Sequence, residues 1–239
     1  VDEMFTDMLK PTDMSFEELQ EVAPAYQPIE YYRYKTGKLR KDGQPGFNTP
    51  TGRIELWSNF YNQAGLDPLP YFEEPEPGPG STPDLMGEYP LVMTSGARTW
   101  GMFHSEHRQL PWCRELWPVP RMEINPETAA ELGLEQGDWA WIENQRGRCR
   151  QKLHVNPSLD DRVVRAEHGW WFPEQEAAEP VLFGVFDSNI NNLLPQCENG
   201  PTGYGAPYKN QLCRVYACTE ENSAELPTAC VTRKDGYSK

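Results

Sequence analysis

Two short runs in this 239-residue chain carry side chains suited to gripping a phosphate-bearing ligand. An apolar stretch, Leu91-Val92-Met93, runs into Thr94-Ser95-Gly96, and Arg98 and then His104-Ser105-Glu106-His107 follow. A strand that ends in free backbone N–H groups, hydroxyls and an arginine presents the donors that phosphate oxygens accept. Gly96 allows a ligand to come close to the backbone. An ordinary strand-ending turn with a solvated arginine is the competing reading. His104 and His107 stand in H-x-x-H order, a spacing that suits metal ligation from one helical turn, but no third ligand of the right type accompanies them. Hydrogen bonding is the simpler role for both, and neither a metal-ligating nor a catalytic residue is assigned in this chain.

Three later segments add polar and aromatic groups. In His168-Gly169-Trp170-Trp171 a glycine beside a histidine and paired tryptophans could wall a planar ring, although adjacent aromatics after a strand commonly become core. Ser188-Asn189-Ile190-Asn191-Asn192 gathers amides, each offering a donor and an acceptor from one planar group, and an Asx-rich turn would use the same residues. Gly203-Tyr204-Gly205-Ala206-Pro207-Tyr208-Lys209 has the glycines and proline of a shaped loop, ending on a lysine able to neutralise a phosphate. Arg146, Arg148 and Arg150 follow a hairpin and read as a solvated face, with the first two as weak phosphate candidates.

Short β-elements must position these groups. Strands are expected at 89–94, 119–124, 138–143, 147–155, 162–167 and 212–217, with Gln145-Arg146-Gly147 as a hairpin turn. A helix should run from Pro126 to Leu132, because Asn125 is placed to cap it, Pro126 fits its first position and Gly133 ends it. Upstream, Ser15-Phe16-Glu17-Glu18 is a capping box opening a short helix to about Val22. Residues 68–90 contain seven prolines and read as an extended connector. Short strands with one or two inserted helices imply a compact, mainly β barrel.

Composition narrows the function. The net charge of −14 argues against a nucleic-acid groove or an anionic membrane surface, both of which need a basic field. Hydrophobic residues make up 38%, enough for a core, while a mean hydropathy of −0.74 leaves part of the chain solvated. Six cysteines without a C-x-x-C pair disfavour a zinc ribbon or an iron–sulfur cluster built from this chain, and are read as free thiols.

The order of these motifs resembles the C-terminal molybdopterin-dinucleotide-binding domain of the dimethyl sulfoxide reductase family. The similarity runs through the last two thirds of the chain. It implies a six-stranded double-psi β-barrel of the aspartate-decarboxylase-like type. It also implies that Thr94, Ser95, Gly96, Arg98, His104, Ser105, His168, Asn189, Asn192, Tyr208 and Lys209 contact the cofactor. In that family two molybdopterin guanine dinucleotides, a bis arrangement, hold one molybdenum or tungsten.

The chain would then be a piece of a larger oxidoreductase, inactive alone. The rest of the polypeptide would supply the metal ligand, any iron–sulfur cluster and the substrate channel, and an iron–sulfur electron-transfer subunit could join it. The Phe103-His104-Ser105-Glu106 and His168-Gly169-Trp170-Trp171 wording looks closest to the anaerobic branch with polysulfide or thiosulfate reductases, acetylene hydratase and pyrogallol transhydroxylase. The expected layout is 1–87 as an irregular extension around one helix, 88–218 as the barrel, and 219–239 as a tail. Free thiols favour the cytoplasm, and an upstream export signal stays compatible with a fragment. A non-catalytic double-psi barrel that binds another protein is the alternative.

Overall fold

The computed structural model describes residues 2–24, 30–96, 99–195, 205 and 208–223. The chain divides into two compact units, Val1–Pro70 and Tyr71–Lys239.

The first unit holds three short helices: α1 (Asp2–Leu9), α2 (Phe16–Val22) and α3 (Asn59–Gln63). The capping box works as the sequence implies, with Ser15 Oγ accepting from Glu18 N at 3.1 Å and Glu18 Oε2 accepting from Ser15 N at 2.8 Å. One helix was expected here, and three are present among the described residues. None of them buries a residue. Stacking of Phe5 on Phe16, with centroids 5.1 Å apart, ties α1 to α2.

The second unit contains the barrel. Six strands, β1 (Leu91–Ser95), β2 (Arg121–Ile124), β3 (Trp139–Asn144), β4 (Gly147–Val155), β5 (Val163–Ala166) and β6 (Gln211–Ala217), close in the order β1-β5-β2-β4-β3-β6. Each matches an expected strand to within two residues at either end. The pairs β1–β5 and β2–β4 are parallel and the other four are antiparallel, and the ring is a double-psi barrel. Alternation sends Leu91 and Met93, Met122 and Ile124, Ala140 and Ile142, Cys149 and Leu153, Val164 and Ala166, and Cys213 and Val215 into one core. Residues between them, among them Thr94, Arg121, Glu123 and Arg165, stand on the outer face.

Helix α4 (Pro111–Leu116) follows β1, α5 (Pro126–Glu131) follows β2, and α6 (Val185–Ser188) follows β5. Only α5 was legible beforehand, with Asn125 Oδ1 accepting from Glu127 N at 2.8 Å. A second apolar cluster of Met102, Cys113, Trp170 and Phe172 lies under the loops.

The compact units divide at residue 70, not at the expected 87. The proline-rich stretch beyond 70 is fastened to the barrel, because Asn210 Nδ2 donates to Pro75 O at 3.1 Å and to Pro77 O at 3.3 Å. Among the described residues Cys113, Cys149, Cys213 and Cys218 are free thiols. Cys197 and Cys230 lie outside the described residues. No described helix is long and apolar enough to cross a membrane.

Candidate functional site

The site is organised around the end of β5. Register places Thr94 beside Arg165 and Ser95 beside Ala166, and Gly96 N donates to Ala166 O at 2.7 Å. From the other side Ser95 N donates to Tyr208 O at 3.2 Å, and Lys209 Nζ donates to Ser95 O. A Cβ on Gly96 would lie 2.7 Å from Arg165 Cγ, so this close crossing of strand and loop needs a glycine.

Beyond Ala166 the chain continues to Glu167, His168 and Gly169. The buried amide of Gln151, on β4, fixes this segment: its Nε2 donates to Glu167 O at 2.7 Å and its Oε1 accepts from Glu167 N at 2.9 Å. His168 then meets the 104 loop, with His168 Nε2 and His104 Nδ1 3.2 Å apart. Ser105 is held by its carbonyl, which accepts from Trp171 Nε1 at 2.6 Å. Gly169 has φ of +66°, and a Cβ there would press within 3.1 Å of His104 O. Asn189 Oδ1 accepts from Gly169 N at 3.3 Å and from Asn191 N at 3.0 Å, while its Nδ2 has no partner among the described residues. Residues separated by up to a hundred positions thus meet around 166–169.

A cavity of about 280 Å³ opens on the outer face beside this hub, lined by Gly96, Thr99, Trp100, Trp117, Arg121, Glu123, Arg165, Ala166 and Glu167. Glu123 pairs with Arg165, and the Arg121 guanidinium lies 3.9 Å from the Trp117 ring centroid. Glu167 is only 5% exposed. Its Oε2 accepts from Trp117 Nε1 at 2.9 Å and from Arg121 N at 3.2 Å. Its Oε1 has no hydrogen-bond partner among the described residues, where Arg108 Nη2 lies 3.8 Å away. Burial drives the Glu167 carboxyl up to about 7, against the pull of Trp117, Arg121 and Arg108. The buried Thr99 Oγ1 likewise has no partner among the described residues.

Several of the expected residues also serve the fold. Asn192 Nδ2 donates to Val185 O at 2.8 Å. The tryptophan pair divides its labour: Trp170 is fully buried core, whereas Trp171 pins the 105 loop. Arg98, Ala206 and Pro207 lie outside the described residues. Arg150, read as part of a solvated face, is buried and forms a two-point pair with Asp187 at 2.8 and 3.1 Å, because α6 covers that part of β4. His104 pairs with His168 and not with His107, and the described residues contain no group of three metal-ligating side chains.

Sequence reasoning missed Glu167, Thr99, Arg108, Arg121 and Arg165. The only advance signal was Glu167 itself, a carboxylate directly after an apolar strand and directly before His168.

A closed barrel whose rim gathers polar loops over a cavity marks a cofactor-binding domain. The model of the family described as "Molydopterin dinucleotide binding domain" matches residues 91–211, from the start of β1 to the start of β6. The chain belongs to this family, as the molybdopterin-dinucleotide-binding domain of dimethyl sulfoxide reductase family proteins. It is 43% identical over 194 residues to dopamine dehydroxylase of Eggerthella lenta, covering 80% of this chain and 19% of that protein. It is 34% identical over 181 residues to acetylene hydratase of Syntrophotalea acetylenica, covering 76% of this chain and 24% of the relative. The solved structure of acetylene hydratase from Pelobacter acetylenicus superposes with a TM-score of 0.73 at 32% identity, over 88% of this chain and 28% of that one. The chain therefore spans about a fifth to a quarter of the length of these curated relatives.

Proposed function

We propose that the chain is the cofactor-clamping domain of a molybdenum- or tungsten-dependent oxidoreductase that holds two molybdopterin guanine dinucleotides. The observation that carries this reading is the meeting of three sequence-distant segments, 94–96, 104–105 and 189, around residues 166–169. An extended dinucleotide needs such a meeting, because one ligand must be touched by all of them. The residues fit the group: Gly96 leaves room for backbone approach, Asn189 Nδ2 is a donor with no partner among the described residues, and Lys209 and Arg165 place cations at the same rim.

Thr94, Ser95, Gly96, Arg98, His104, Ser105, His168, Asn189, Tyr208 and Lys209 would hold the cofactor. The bound group would supply the redox-active metal and its dithiolene sulfurs, while this domain supplies position and electrostatics. Gln151 keeps the hub rigid, and the His104–His168 pair offers ring nitrogens whose proton can settle on either side. The metal ligand, substrate channel and any iron–sulfur cluster belong to the remainder of a longer polypeptide, so the chain alone is inactive. The test is elemental and nucleotide analysis of the intact polypeptide, where about two GMP should be released per molybdenum or tungsten. A folded polypeptide that carries neither metal nor GMP would overturn the reading.

A further inference from the structure

We infer that Gln151 is a positioning residue that fixes the separation of His168 and Asn189, two of the proposed cofactor contacts carried by different loops. The inference rests on the function proposed above and adds to it the residue that holds those loops in register.

Alternation along β4 puts Gln151 on the same inward face as Cys149 and Leu153, where an apolar side chain is due. The amide is 0% exposed, and burying one is costly unless its polar atoms are paired. Both donors and the acceptor are used. Nε2 donates to Glu167 O at 2.7 Å and to Ser188 O at 3.1 Å, and Oε1 accepts from Glu167 N at 2.9 Å. The two bonds to Glu167 copy the pairing of a strand residue. They carry the β5 ladder one residue past Ala166 and so set the approach to His168. The bond to Ser188 ties down the residue before Asn189. Asn189 Oδ1 in turn accepts from Gly169 N at 3.3 Å, which closes a ring of contacts through 151, 167–169 and 188–189. Gln151 is the member of that ring rooted in a barrel strand, so it gives both loops one rigid reference. A residue that breaks the pattern of its own strand is expected at a functional site. Leucine would obey the pattern at similar volume, yet would take the amide donor from two carbonyls.

The experiment uses the intact polypeptide as wild type, Gln151→Leu and Gln151→Glu. Val215→Ala is the control, because it weakens the core from β6, a strand that pairs with neither β4 nor β5. The rate at which metal and GMP are lost after free cofactor is removed is one readout. Amide hydrogen exchange is the other, and it does not depend on activity. Gln151→Leu should release metal and GMP about tenfold faster than Val215→Ala, and its loss of exchange protection should be confined to 167–169 and 189–191. Release at the control's rate, or a loss of protection spread evenly over the barrel, overturns the inference. If Gln151→Leu does not fold, Gln151→Glu decides on the same two readouts, since a buried neutral carboxyl keeps the shape and one of the two donors. Wild type carrying neither metal nor GMP sinks the proposed function, whereas a loaded wild type beside a variant that behaves as the control sinks only the role of Gln151.

Discussion

Two outer faces of one barrel use the same residue types to opposite ends. On the β3-β4-β6 side Arg150 is locked to Asp187, and Arg214 and Tyr216 both donate to Glu143. Arg148 lies 4.3 Å from the Trp141 ring centroid. Burial pulls the Arg150 guanidinium down, but Asp187 outweighs it and holds the charge more firmly than usual. Burial likewise pushes Glu143 up, and the Tyr216 and Arg214 hydrogen bonds bring it below its ordinary range. On the β1-β5-β2 side burial wins: Glu167 is driven up and Arg108 down, because their 3.8 Å separation is too long for a hydrogen bond. Charges paired at contact distance make structure. Charges buried without full pairing shift their titration toward the neutral form instead.

The contrast breaks most visibly at Asp187. Asp187→Ala strands a buried guanidinium and should cost about 3–5 kcal/mol in denaturant unfolding. If the loss is under 1 kcal/mol, the pair is not the structural anchor described.

Glu167 should respond to pH in the opposite sense to a paired carboxylate. The folded chain keeps its proton up to about 7, whereas its ordinary value is 4.5. Stability from this group is therefore greatest below 4.5, falls as pH rises to about 7 and is flat above. The full drop is about 3 kcal/mol. Unfolding free energies at pH 5 and pH 8 should show most of it in wild type and a much flatter profile in Glu167→Gln. Equal slopes in the two proteins would refute the burial argument.

Trp117→Phe removes the donor that holds Glu167 Oε2 and should cost about 1–2 kcal/mol above pH 7. It should also move the midpoint of that pH profile upward, since the Trp117 bond favours the charged form. The smallest effect is expected at Glu143, whose partner Arg214 is 42% exposed. Glu143→Ala should cost no more than about 1 kcal/mol, and 0.5 M salt should shrink even that.

Strands were legible because their alternation is strict. Met93, Met122, Ile142 and Val164 must all point inward, and a slip of one residue would expose them. Helix α5 was legible because its cap and its ending glycine are local signals. α1 and α3 were not, because neither buries a face, and α6 is only four residues long. The site was readable where backbone chemistry dictates it, at Gly96 and Gly169. It was unreadable at Arg108, Arg150 and Glu167, because burial of a charged side chain depends on what a distant segment lays over it. Asn192 illustrates the same limit: an amide can serve a ligand or its own loop, and only the fold chooses.

The strand order also sets a timetable. β1 is made first, yet its neighbours are β5 and β6, the last two strands of the ring. During synthesis β1 must wait for more than a hundred residues, roughly ten seconds at ordinary ribosomal rates, before its second partner exists. Pairings so far apart in sequence are slow to form, and an apolar strand with a bare edge invites association meanwhile. The newborn chain should accordingly depend on holding chaperones until Gln211–Ala217 has emerged.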